Sequence, residues 1–424
     1  SALYNISQGI QVNILYVLHR FFPEYVGGTE QDTLDIAQEM QRRGHRVAVF
    51  HRAPGTPALI HTQWDGVPVY RAQAGPMTAW PLFGATFRDS RLIRYFQTVF
   101  REVTPDLVHV QHLFGLPVSI VPWVRQQDRA VIISLRDFWP VCLNAQLLTN
   151  DTQDVCQTPG RASRCARCGL SRLHLGRLSF LAPVLAPIVV ARNRIIRRTL
   201  QKVNALIVSS QFVQAWYTRH CGSCGQFRYI ERGIRRPERW PTRTRHDDRV
   251  RFSYIGGLSR QKGLHVLIHA FNAVSDAGEL VIAGDEGKFP DYVRYLKEIA
   301  HHPGIRFVGR LDRPAVWQAL VDSDVVVVPP LWFETYSMLL HEAFTASVPV
   351  IASDHGALAE AVTDGVDGLL VPPGDVGGWQ KALQRLVDDA DLLAYLKSHV
   401  QPPPTLEEHV DQIEHVYRSL TIDG

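Results

Sequence analysis

Short apolar runs alternate with longer, helix-like segments along most of the chain. In the first half, the runs typical of strands span residues 12–18, 46–51, 107–111, 130–135 and 205–209. Segments with a helical spacing of apolar residues, such as 29–43 and 91–103, lie between them. In the second half, the runs span residues 251–255, 279–283, 305–308, 325–328, 349–352 and 368–371. Strands that alternate with helices form parallel sheets covered by helices, so each half is predicted to be a doubly wound, Rossmann-like α/β domain.

A Pro- and charge-rich stretch with no clear period, residues 232–249, separates the two halves. This composition is typical of a linker. We therefore place a domain boundary near residue 240, with residues 1–240 before it and residues 241–401 after it. Open α/β sheets bind ligands at the carboxyl ends of their strands, so two such domains that face each other predict a binding cleft between them.

Composition agrees with two domains and limits the partners. The chain has 424 residues, 46% of them hydrophobic, which is too long for one ordinary core. Its formal net charge is only +4, so bulk electrostatics gives no reason to expect a nucleic-acid partner. The sequence lacks an uncharged apolar run of about 18 or more residues, and residues 1–10 lack the charged-then-apolar order of a secretory signal. These features predict a cytoplasmic protein.

A candidate anion site follows the first predicted strand of the second half. The segment YIGGLSRQKGLHVLIHAF, residues 254–271, has a glycine pair, then the cations Arg260 and Lys262, and then a predicted helix. Exposed amides, a helix N-terminus and nearby cations favour a bound anion such as a diphosphate. Taken alone, the segment is equally well explained as a glycine turn with solvated basic residues.

A second segment, residues 325–362, carries two carboxylates near a predicted strand end. Glu334 follows a run of valines and a Pro-Pro pair, and Glu342 lies eight positions later, in a helix predicted to begin near Ser337. Glu334 and the helix start both fall at the carboxyl end of a strand, where such domains bind ligands. The two carboxylates are therefore predicted to contact one ligand.

These segments together resemble the retaining glycosyltransferases of family 4, which have the GT-B fold of two Rossmann-like domains with an interdomain cleft. In the second half, the resemblance rests on the spacing of Glu334 and Glu342 and on the motifs GGLSRQKG, AGDEG, FVGRLD and VPPGD. In the first half, it rests on VGGTE at residues 26–30 and on PDLVHVQHLFG at residues 105–115. The resemblance covers nearly the whole chain.

The resemblance implies an enzyme that moves a sugar from a nucleotide-diphosphate sugar to an acceptor hydroxyl with retention of configuration, in polysaccharide or glycoconjugate biosynthesis. The acceptor would be a glycan, a lipid-linked molecule or a small molecule, and no catalytic metal would be required. Residues 1–240 would bind the acceptor and residues 241–401 the donor. The last helix, residues 406–420, would cross back so that residues 402–424 pack on the first domain. The alternatives are a non-catalytic sugar-nucleotide sensor or scaffold, or an epimerase or phosphorylase on the same fold.

Three charged residues take the main donor roles that the resemblance implies. Glu342 matches the glutamate that holds the ribose hydroxyls, and Glu334 matches the one beside the transferred sugar. Lys262 matches the lysine that neutralises the leaving diphosphate. This chemistry is reasonable, because fixed cations stabilise the charge that develops on the leaving phosphate and a carboxylate can stabilise an oxocarbenium-like transition state.

The remaining donor-binding residues lie at turns and at a helix start. They are Gly27, Gly28, Arg260, Arg310, Ser337, Met338 and Leu339. The glycine pair resembles the family's glycine loop near the diphosphate and the acceptor, and the amides of residues 337–339 match those that contact the donor phosphates. Arg260 is a candidate second cation, because Gly257 stands where the family commonly has an arginine. The nucleobase is placed near residues 308–310.

A histidine follows the predicted strand at residues 107–111. The family often places a functional histidine at this strand end, commonly in a His-x-His pattern whose second histidine would stand at position 111. Gln111 stands there in this chain and His112 comes next. We therefore predict His112 as the catalytic histidine; a strand-end histidine bonded only to backbone groups is the alternative.

Four cysteines occupy an insertion of the first domain, residues 142–168, in the pattern C-x13-C-x8-C-x2-C. They are Cys142, Cys156, Cys165 and Cys168. Four thiolates suit a tetrahedral ion, and structural zinc is the usual occupant. An iron–sulfur cluster and unliganded reduced thiols are the alternatives. A further pair, Cys221 and Cys224, is open to three explanations: a redox pair, a second partial metal site or an accident of sequence.

A basic, apolar stretch follows the cysteines at residues 170–203, with nearly no acidic residues. Its cations are Arg172, Arg177, Arg192, Arg194, Arg197, Arg198 and Lys202. Such a stretch can rest on an anionic membrane surface. A packing helix with a solvated basic face is the alternative, so peripheral contact with the inner face of the plasma membrane remains one of two explanations.

Overall fold

The computed structural model describes residues 11–25, 27–152, 154–222, 224–245 and 248–421. Within these residues it shows two separate sheets, one between residues 13 and 229 and one between residues 250 and 371, with helices between the strands. The doubly wound, Rossmann-like architecture predicted for both halves is confirmed.

The first sheet is mostly parallel. Its strands are β1 (Asn13–Leu18), β2 (Arg46–Ala53), β3 (Ala58–Trp64), β4 (Val67–Gln73), β5 (Leu107–Val110), β6 (Ala130–Ser134), β7 (Ala205–Val208) and β8 (Phe227–Tyr229). They lie in the order β3-β4-β2-β1-β5-β6-β7-β8. Strands β3 and β4 form an antiparallel pair, whereas the other neighbours are parallel.

The second sheet is parallel throughout. Its strands are β9 (Val250–Ile255), β10 (Gly278–Ala283), β11 (Ile305–Gly309), β12 (Val325–Val328), β13 (Val350–Ser353) and β14 (Gly368–Val371). They lie in the order β11-β10-β9-β12-β13-β14. From β9 the chain adds β10 and β11 on one side and then β12, β13 and β14 on the other side. The carboxyl ends of β9 and β12 therefore flank the switch point, where such sheets bind ligands.

Helices connect the strands in both domains. In the first domain they are α1 (Gly28–Arg42), α2 (Ala79–Phe87), α3 (Ser90–Val103), α4 (Ile120–Arg125), α5 (Ala162–Arg172), α6 (Ala182–Leu200) and α7 (Gln211–Cys221). After β9 they are α8 (Leu264–Phe271), α9 (Pro290–Ile299), α10 (Arg313–Val321), α11 (Met338–Thr345), α12 (Gly356–Ala361), α13 (Val376–Asp388), α14 (Ala390–His399) and α15 (Leu406–Thr421). Short 3-10 segments span Gly176–Leu181 and Arg260–Lys262.

The sequence of β1, NILYVL, explains why helices cover both faces of the first sheet. Successive side chains of a strand point to opposite faces. Ile14, Tyr16 and Leu18 pack with apolar residues of α1 and α15, whereas Leu15 and Val17 pack with residues of α3, α4 and α6. A strand that is apolar at every buried position has to be covered on both sides, and β1 is.

The strands that the apolar runs did not predict lie at the edges of the first sheet. The β3–β4 hairpin forms one edge, and the side chains of β3 are half-buried or exposed. Strand β8 forms the other edge and is only three residues long. An edge strand with one wet face lacks the continuous apolar run that marks a buried parallel strand.

The stretch between the sheets is held to both domains by its arginines. Arg232 is buried, and its Nε donates to Ser209 Oγ (3.1 Å). Its guanidinium also lies over the ring of Tyr336, at 5.2 Å from the centroid. Arg235 pairs with Asp35 of α1 (2.9 Å). Arg232 and Arg235 therefore fix the first part of the stretch against both domains, whereas most of residues 236–244 are exposed.

Helix α15 lies on the first domain. His45 Nε2 is 3.1 Å from Glu414 Oε1, and Arg43 Nη1 donates to Glu414 Oε2 (2.9 Å). The hydroxyl of Tyr417 is 2.5 Å from Nδ1 of buried His109.

The predicted assignment of residues 1–240 to the acceptor and of residues 241–401 to the donor stays a prediction.

Candidate active site

The second-domain part of the site is the loop between β12 and α11. The loop leaves the carboxyl end of β12 at Val328 and reaches α11 at Met338. Ser337 precedes the helix, and its Oγ accepts a hydrogen bond from the N–H of Leu340 (3.4 Å), which caps the helix. The first amides of a helix have no partner inside the helix, so this helix start suits a phosphate group.

Glu334 lies in this loop, bonded to two donors. Lys262 Nζ donates to Glu334 Oε1 (2.6 Å), and Trp332 Nε1 donates to the same oxygen (2.8 Å). The ammonium of Lys262 also lies over the Trp332 ring, 5.2 Å from its centroid. The structure thus brings together the lysine of the predicted anion site and the first of the two predicted carboxylates. Trp332 was not among the predicted residues.

Glu342 lies on α11 and is 5% exposed. Its Oε1 accepts a hydrogen bond from Arg313 Nη1 (2.6 Å). Burial raises the pKa of the Glu342 carboxyl, and the Arg313 cation opposes this shift without cancelling it. Sequence reasoning missed Arg313, although its position at the start of α10, directly after the FVGRLD motif, was a possible signal.

The glycine pair of the first domain lies against the start of α11. Gly28 begins α1, and a Cβ built on it would lie 3.7 Å from Cγ of Met338. A Cβ on Gly27 would lie 2.6 Å from Glu30 Oε2, so the Glu30 carboxylate would have to shift to make room for it. The structure therefore brings Gly28, with Gly27 directly before it, to the helix start that carries Ser337 and Met338.

His112 is buried, and both of its ring nitrogens are hydrogen-bonded. Its Nδ1 accepts from the N–H of Phe114 (3.0 Å), so Nε2 carries the proton and donates it to Asp137 Oδ2 (2.8 Å). The His19 ring lies 4.3 Å away, and burial, joined by the nearby Arg20 cation, holds the pKa of His19 well below its usual range. Any contact of His112 with an acceptor requires the Asp137 bond to be shared or exchanged.

Gln111 belongs to a buried polar network beneath the site. Its Oε1 accepts from Arg136 Nε (3.0 Å), and Arg136 Nη2 pairs with Asp32 Oδ2 (2.5 Å). Burial is the largest single influence on Asp32 and would raise its pKa, but Arg136, Arg232 and His409 together outweigh it and the pKa is lowered. Gln111, which stands where the family commonly has a histidine, therefore accepts a hydrogen bond from the Arg136 guanidinium. The sequence analysis did not predict this contact.

Residues of the two domains bond to each other beside Glu334. Thr335 Oγ1 donates to the carbonyl of Arg136 (2.7 Å). Both carboxylate oxygens of Glu360 accept from the backbone N–H groups of Gln211 and Phe212 (2.7 Å each), the first residues of α7. A carboxylate at a helix N-terminus is favourable, so Glu360 caps a helix of the other domain. The loop of Glu334 is thus fixed between the domains.

Comparison with known proteins decides the family. The model described as Glycosyltransferase Family 4 matches residues 26–236, and the one described as Glycosyl transferases group 1 matches residues 249–389. A D-inositol 3-phosphate glycosyltransferase of Corynebacterium jeikeium (strain K411) is 32% identical over 392 residues, which cover 86% of this chain and 84% of that protein. The chain belongs to glycosyltransferase family 4. It is an enzyme that uses nucleotide sugars, which confirms the activity class that the motifs implied.

Solved structures show the same fold. Sucrose-phosphate synthase from Thermosynechococcus elongatus matches with a TM-score of 0.76 and 20% identity, over 97% of this chain and 99% of that one. Anabaena HepE, solved in complex with UDP-glucose, matches with a TM-score of 0.66 and 17% identity, over 96% of this chain and 100% of that one. The GT-B fold is confirmed. The comparisons support neither the sensor, scaffold or epimerase alternatives nor a subgroup defined by the cysteine insertion.

Two predicted donor residues of the glycosyltransferase lie on the surface. Arg260 is exposed and lies close to His265; burial first, and the Arg260 cation second, lower the pKa of His265 to about 4. Arg310 is exposed and follows β11, the edge strand of the second sheet. Their roles toward the second phosphate and the nucleobase stay predictions.

The four cysteines of the insertion line one small cavity of about 20 Å³. The backbone N–H and Nδ2 of Asn150 lie 3.4 and 3.2 Å from Cys168 Sγ, and Cys142 Sγ donates to Asn144 Oδ1 (2.7 Å). Among the described residues, no three His, Cys, Asp or Glu side chains are arranged to hold a metal ion. The structure therefore gathers the predicted ligands without showing a zinc site.

The other two cysteines, Cys221 and Cys224, are joined in a disulfide at the end of α7. Both are buried, with exposures of 4% and 0%. Of the three explanations that the sequence left open, the structure shows a bonded pair.

The predicted basic, apolar stretch, residues 170–203, exposes apolar side chains around α6. Phe180 and Val184 are 71% and 73% exposed. Within the described residues, the segment Gly176–Leu200 is the one long and apolar enough to cross a membrane by length and composition, and 22% of its most apolar part is buried. Arg192, in contrast, is 1% exposed, and its guanidinium donates to the carbonyls of Trp139 and Pro140, which holds the second half of α6 on the first domain.

Proposed function

We propose that this glycosyltransferase transfers a sugar from a nucleotide-diphosphate sugar to an acceptor hydroxyl with retention of configuration, in polysaccharide or glycoconjugate biosynthesis. The observation that carries the proposal is the cluster at the start of α11. Lys262, Glu334 and the helix amides lie together there, and Gly28 of the first domain lies against Met338. A cation, a carboxylate and free amides at one edge suit a sugar diphosphate.

The charged groups of the site and the start of α11 contact different parts of the donor. Glu342, buried and held by Arg313, accepts the ribose hydroxyls. Lys262 and the first amides of α11 neutralise the charge that grows on the diphosphate as the sugar bond breaks. Glu334 stabilises the positive charge on the sugar. The acceptor approaches from the first domain beside His112 and attacks from the face that the diphosphate leaves.

UDP-glucose is the first donor to test, because the similar Anabaena HepE was solved with it. The protein is incubated with UDP-, GDP-, ADP- and TDP-sugars and a panel of acceptors, and nucleotide release and products are followed by mass spectrometry. Turnover by the wild type that is lost in Glu334→Gln supports transfer, and the anomeric configuration of the product shows whether it is retained. If neither the wild type nor Glu334→Gln turns over any donor across a broad panel of acceptors, the proposal is overturned.

We also propose peripheral contact with the cytoplasmic face of the plasma membrane through the surface around α6. Its exposed apolar side chains and the exposed cations Arg194, Arg197 and Arg198 support this, since such surfaces bind anionic lipid. Arg192 takes no part, because it is buried.

Flotation with vesicles that contain anionic phospholipid tests this contact. Phe180→Ser/Val184→Ser should lose flotation. Phe289→Ser is the control, because Phe289 is 42% exposed on the second domain. Equal flotation of the two variants would contradict membrane contact through α6.

The four cysteines are proposed to hold one structural zinc ion. Their cavity, of about 20 Å³, has room for a single small ion. The N–H groups of Asn150 that point to Cys168 Sγ resemble the hydrogen bonds that support metal-ligating atoms. Metal analysis of protein purified without chelators should give about one equivalent of zinc, and Cys165→Ser/Cys168→Ser should remove it. Wild-type protein without zinc would refute this part of the proposal, and iron in its place would indicate a cluster.

A further inference from the structure

An apolar groove runs between α2, α5, α6 and the loops that follow β5 and β6. It has a volume of about 160 Å³, and its lining is almost entirely hydrocarbon. The lining includes Phe83, Phe114, Leu170, Leu173, Leu185 and Ile188. Leu170 is buried, whereas Ile188 is 51% exposed, so the groove extends from the protein interior to the surface.

The outer end of the groove opens on the exposed apolar surface of α6. Ile188 belongs to both, because it lines the groove and lies on one side of the helix with Val184, four residues earlier. Proteins seldom leave a contiguous apolar surface of this kind in water unless it binds something. A molecule with a long apolar chain can therefore pass from this surface into the groove.

One residue of the groove lining lies next to the predicted catalytic histidine. Phe114 lines the groove, and its backbone N–H donates to His112 Nδ1 (3.0 Å). The rings of Phe114 and His112 lie 6.3 Å apart between centroids. A chain in the groove would therefore come close to His112, the histidine predicted to face the acceptor.

The charge around the groove favours an anionic head group. The sequence has no Asp or Glu between residues 155 and 230, a range that includes α5 and α6. Arg172 lines the groove itself and is exposed. A hydrocarbon chain that carries a phosphate matches both the apolar lining and the cation.

We infer that the groove binds the hydrocarbon chain of a lipid-linked, phosphate-bearing acceptor, so that the acceptor hydroxyl is presented beside His112. This inference rests on the proposed function, since it names the acceptor class of that reaction. It commits to a lipid chain; a second copy of this protein or a helix of another protein would be a different occupant of the same surface.

Binding of n-alkyl phosphates, from methyl to dodecyl and below their micelle concentrations, tests the inference without donor or turnover. Isothermal titration of the full chain should show affinity that rises about fourfold for each added methylene until the groove is filled. Ile188→Glu should remove this dependence on chain length and lower the affinity for dodecyl phosphate at least about tenfold. Methyl phosphate should bind the wild type and the variants with equal affinity.

Ile195→Glu is the matched control. Ile195 is 40% exposed on the same helix, seven residues and so about 10.5 Å further along the same face, and it does not line the groove. Its variant should bind as the wild type does. No chain-length dependence in the wild type, or equal losses in both variants, would overturn the inference. Self-association of the wild type in sedimentation velocity that Ile188→Glu abolishes would identify an interface between copies and overturn it as well.

The two proposals fail separately. Chain-length-dependent binding without turnover on any donor would refute the transferase activity and leave the lipid groove in place. Turnover on water-soluble acceptors, with no alkyl dependence of binding, would refute the groove and leave the transferase activity in place.

Discussion

Replacing Lys262 by methionine should separate its catalytic task from its structural one. In the structure the lysine ammonium is 2.6 Å from Glu334 Oε1, and the side chains are 33% and 12% exposed. Partly exposed ion pairs contribute about 1 kcal/mol or less to stability. We therefore expect Lys262→Met to lower the free energy of unfolding by about 1 kcal/mol or less.

Turnover should fall far more than stability. The charge on the diphosphate develops in the transition state, and removing one fixed group that stabilises such charge costs about 100- to 1000-fold in kcat, equivalent to about 2.7–4 kcal/mol. Interactions that strengthen only in the transition state appear in kcat rather than in KM. The predicted signature is thus a large loss of kcat in a protein that remains folded.

The chain provides a matched control at Lys297. Its ammonium is also 2.6 Å from a carboxylate, that of Glu286, and lies over an aromatic ring, that of Phe307 (5.5 Å to the centroid). Lys297→Met removes the same chemistry from the same domain. Nucleotide release under saturating donor, together with urea unfolding, measures both variants. The reasoning is refuted if Lys262→Met lowers kcat no more than Lys297→Met does.

Three other substitutions test the remaining contacts. Glu342→Gln should raise the donor KM about 10- to 100-fold in steady-state assays. Because burial raises the pKa of this carboxyl, and a raised carboxyl pKa lowers stability as the pH rises through it, the wild type should gain stability relative to the variant as the pH is lowered; urea unfolding at several pH values that shows the opposite trend would contradict this. Arg136→Met should cost about 3–5 kcal/mol of unfolding free energy, because Asp32 is 2% exposed and loses its cation; a loss below about 1 kcal/mol in urea unfolding would be inconsistent with that pair. Glu360→Gln should weaken the cap on α7 by about 0.3–1 kcal/mol and raise the donor KM a few-fold with kcat unchanged, and an unchanged KM would show that this contact does not assist donor binding.

The buried strands were predictable because their sequences leave few choices. Strand β12 reads VVVV, and all four residues are buried. Only a fully covered strand tolerates such a run in a domain of this size. The β3–β4 hairpin was missed, although Asp65 and Gly66 join its strands with φ angles of 49° and 83°, the positive values of a type I′ turn. The Asp-Gly pair was therefore a usable signal that an analysis of apolar runs alone passes over.

The site was predictable only where motif spacing fixes a residue. Glu334 and Glu342 could be placed because one strand end and one helix start determine both. Their partners could not be placed, because contacts between separate elements create them: Arg313 is 29 residues from Glu342 and Lys262 is 72 residues from Glu334.

The loop of Glu334 couples the donor site to the position of the first domain. Lys262 approaches it from the second domain, and Thr335, the next residue, bonds to the carbonyl of Arg136 in the first. Arg136 is in turn fixed by the buried Asp32 of α1, the helix that the glycine pair begins. A donor that draws Lys262 away from Glu334 therefore acts on a loop that the first domain already holds. Donor binding and the relative position of the two domains are for this reason expected to change together.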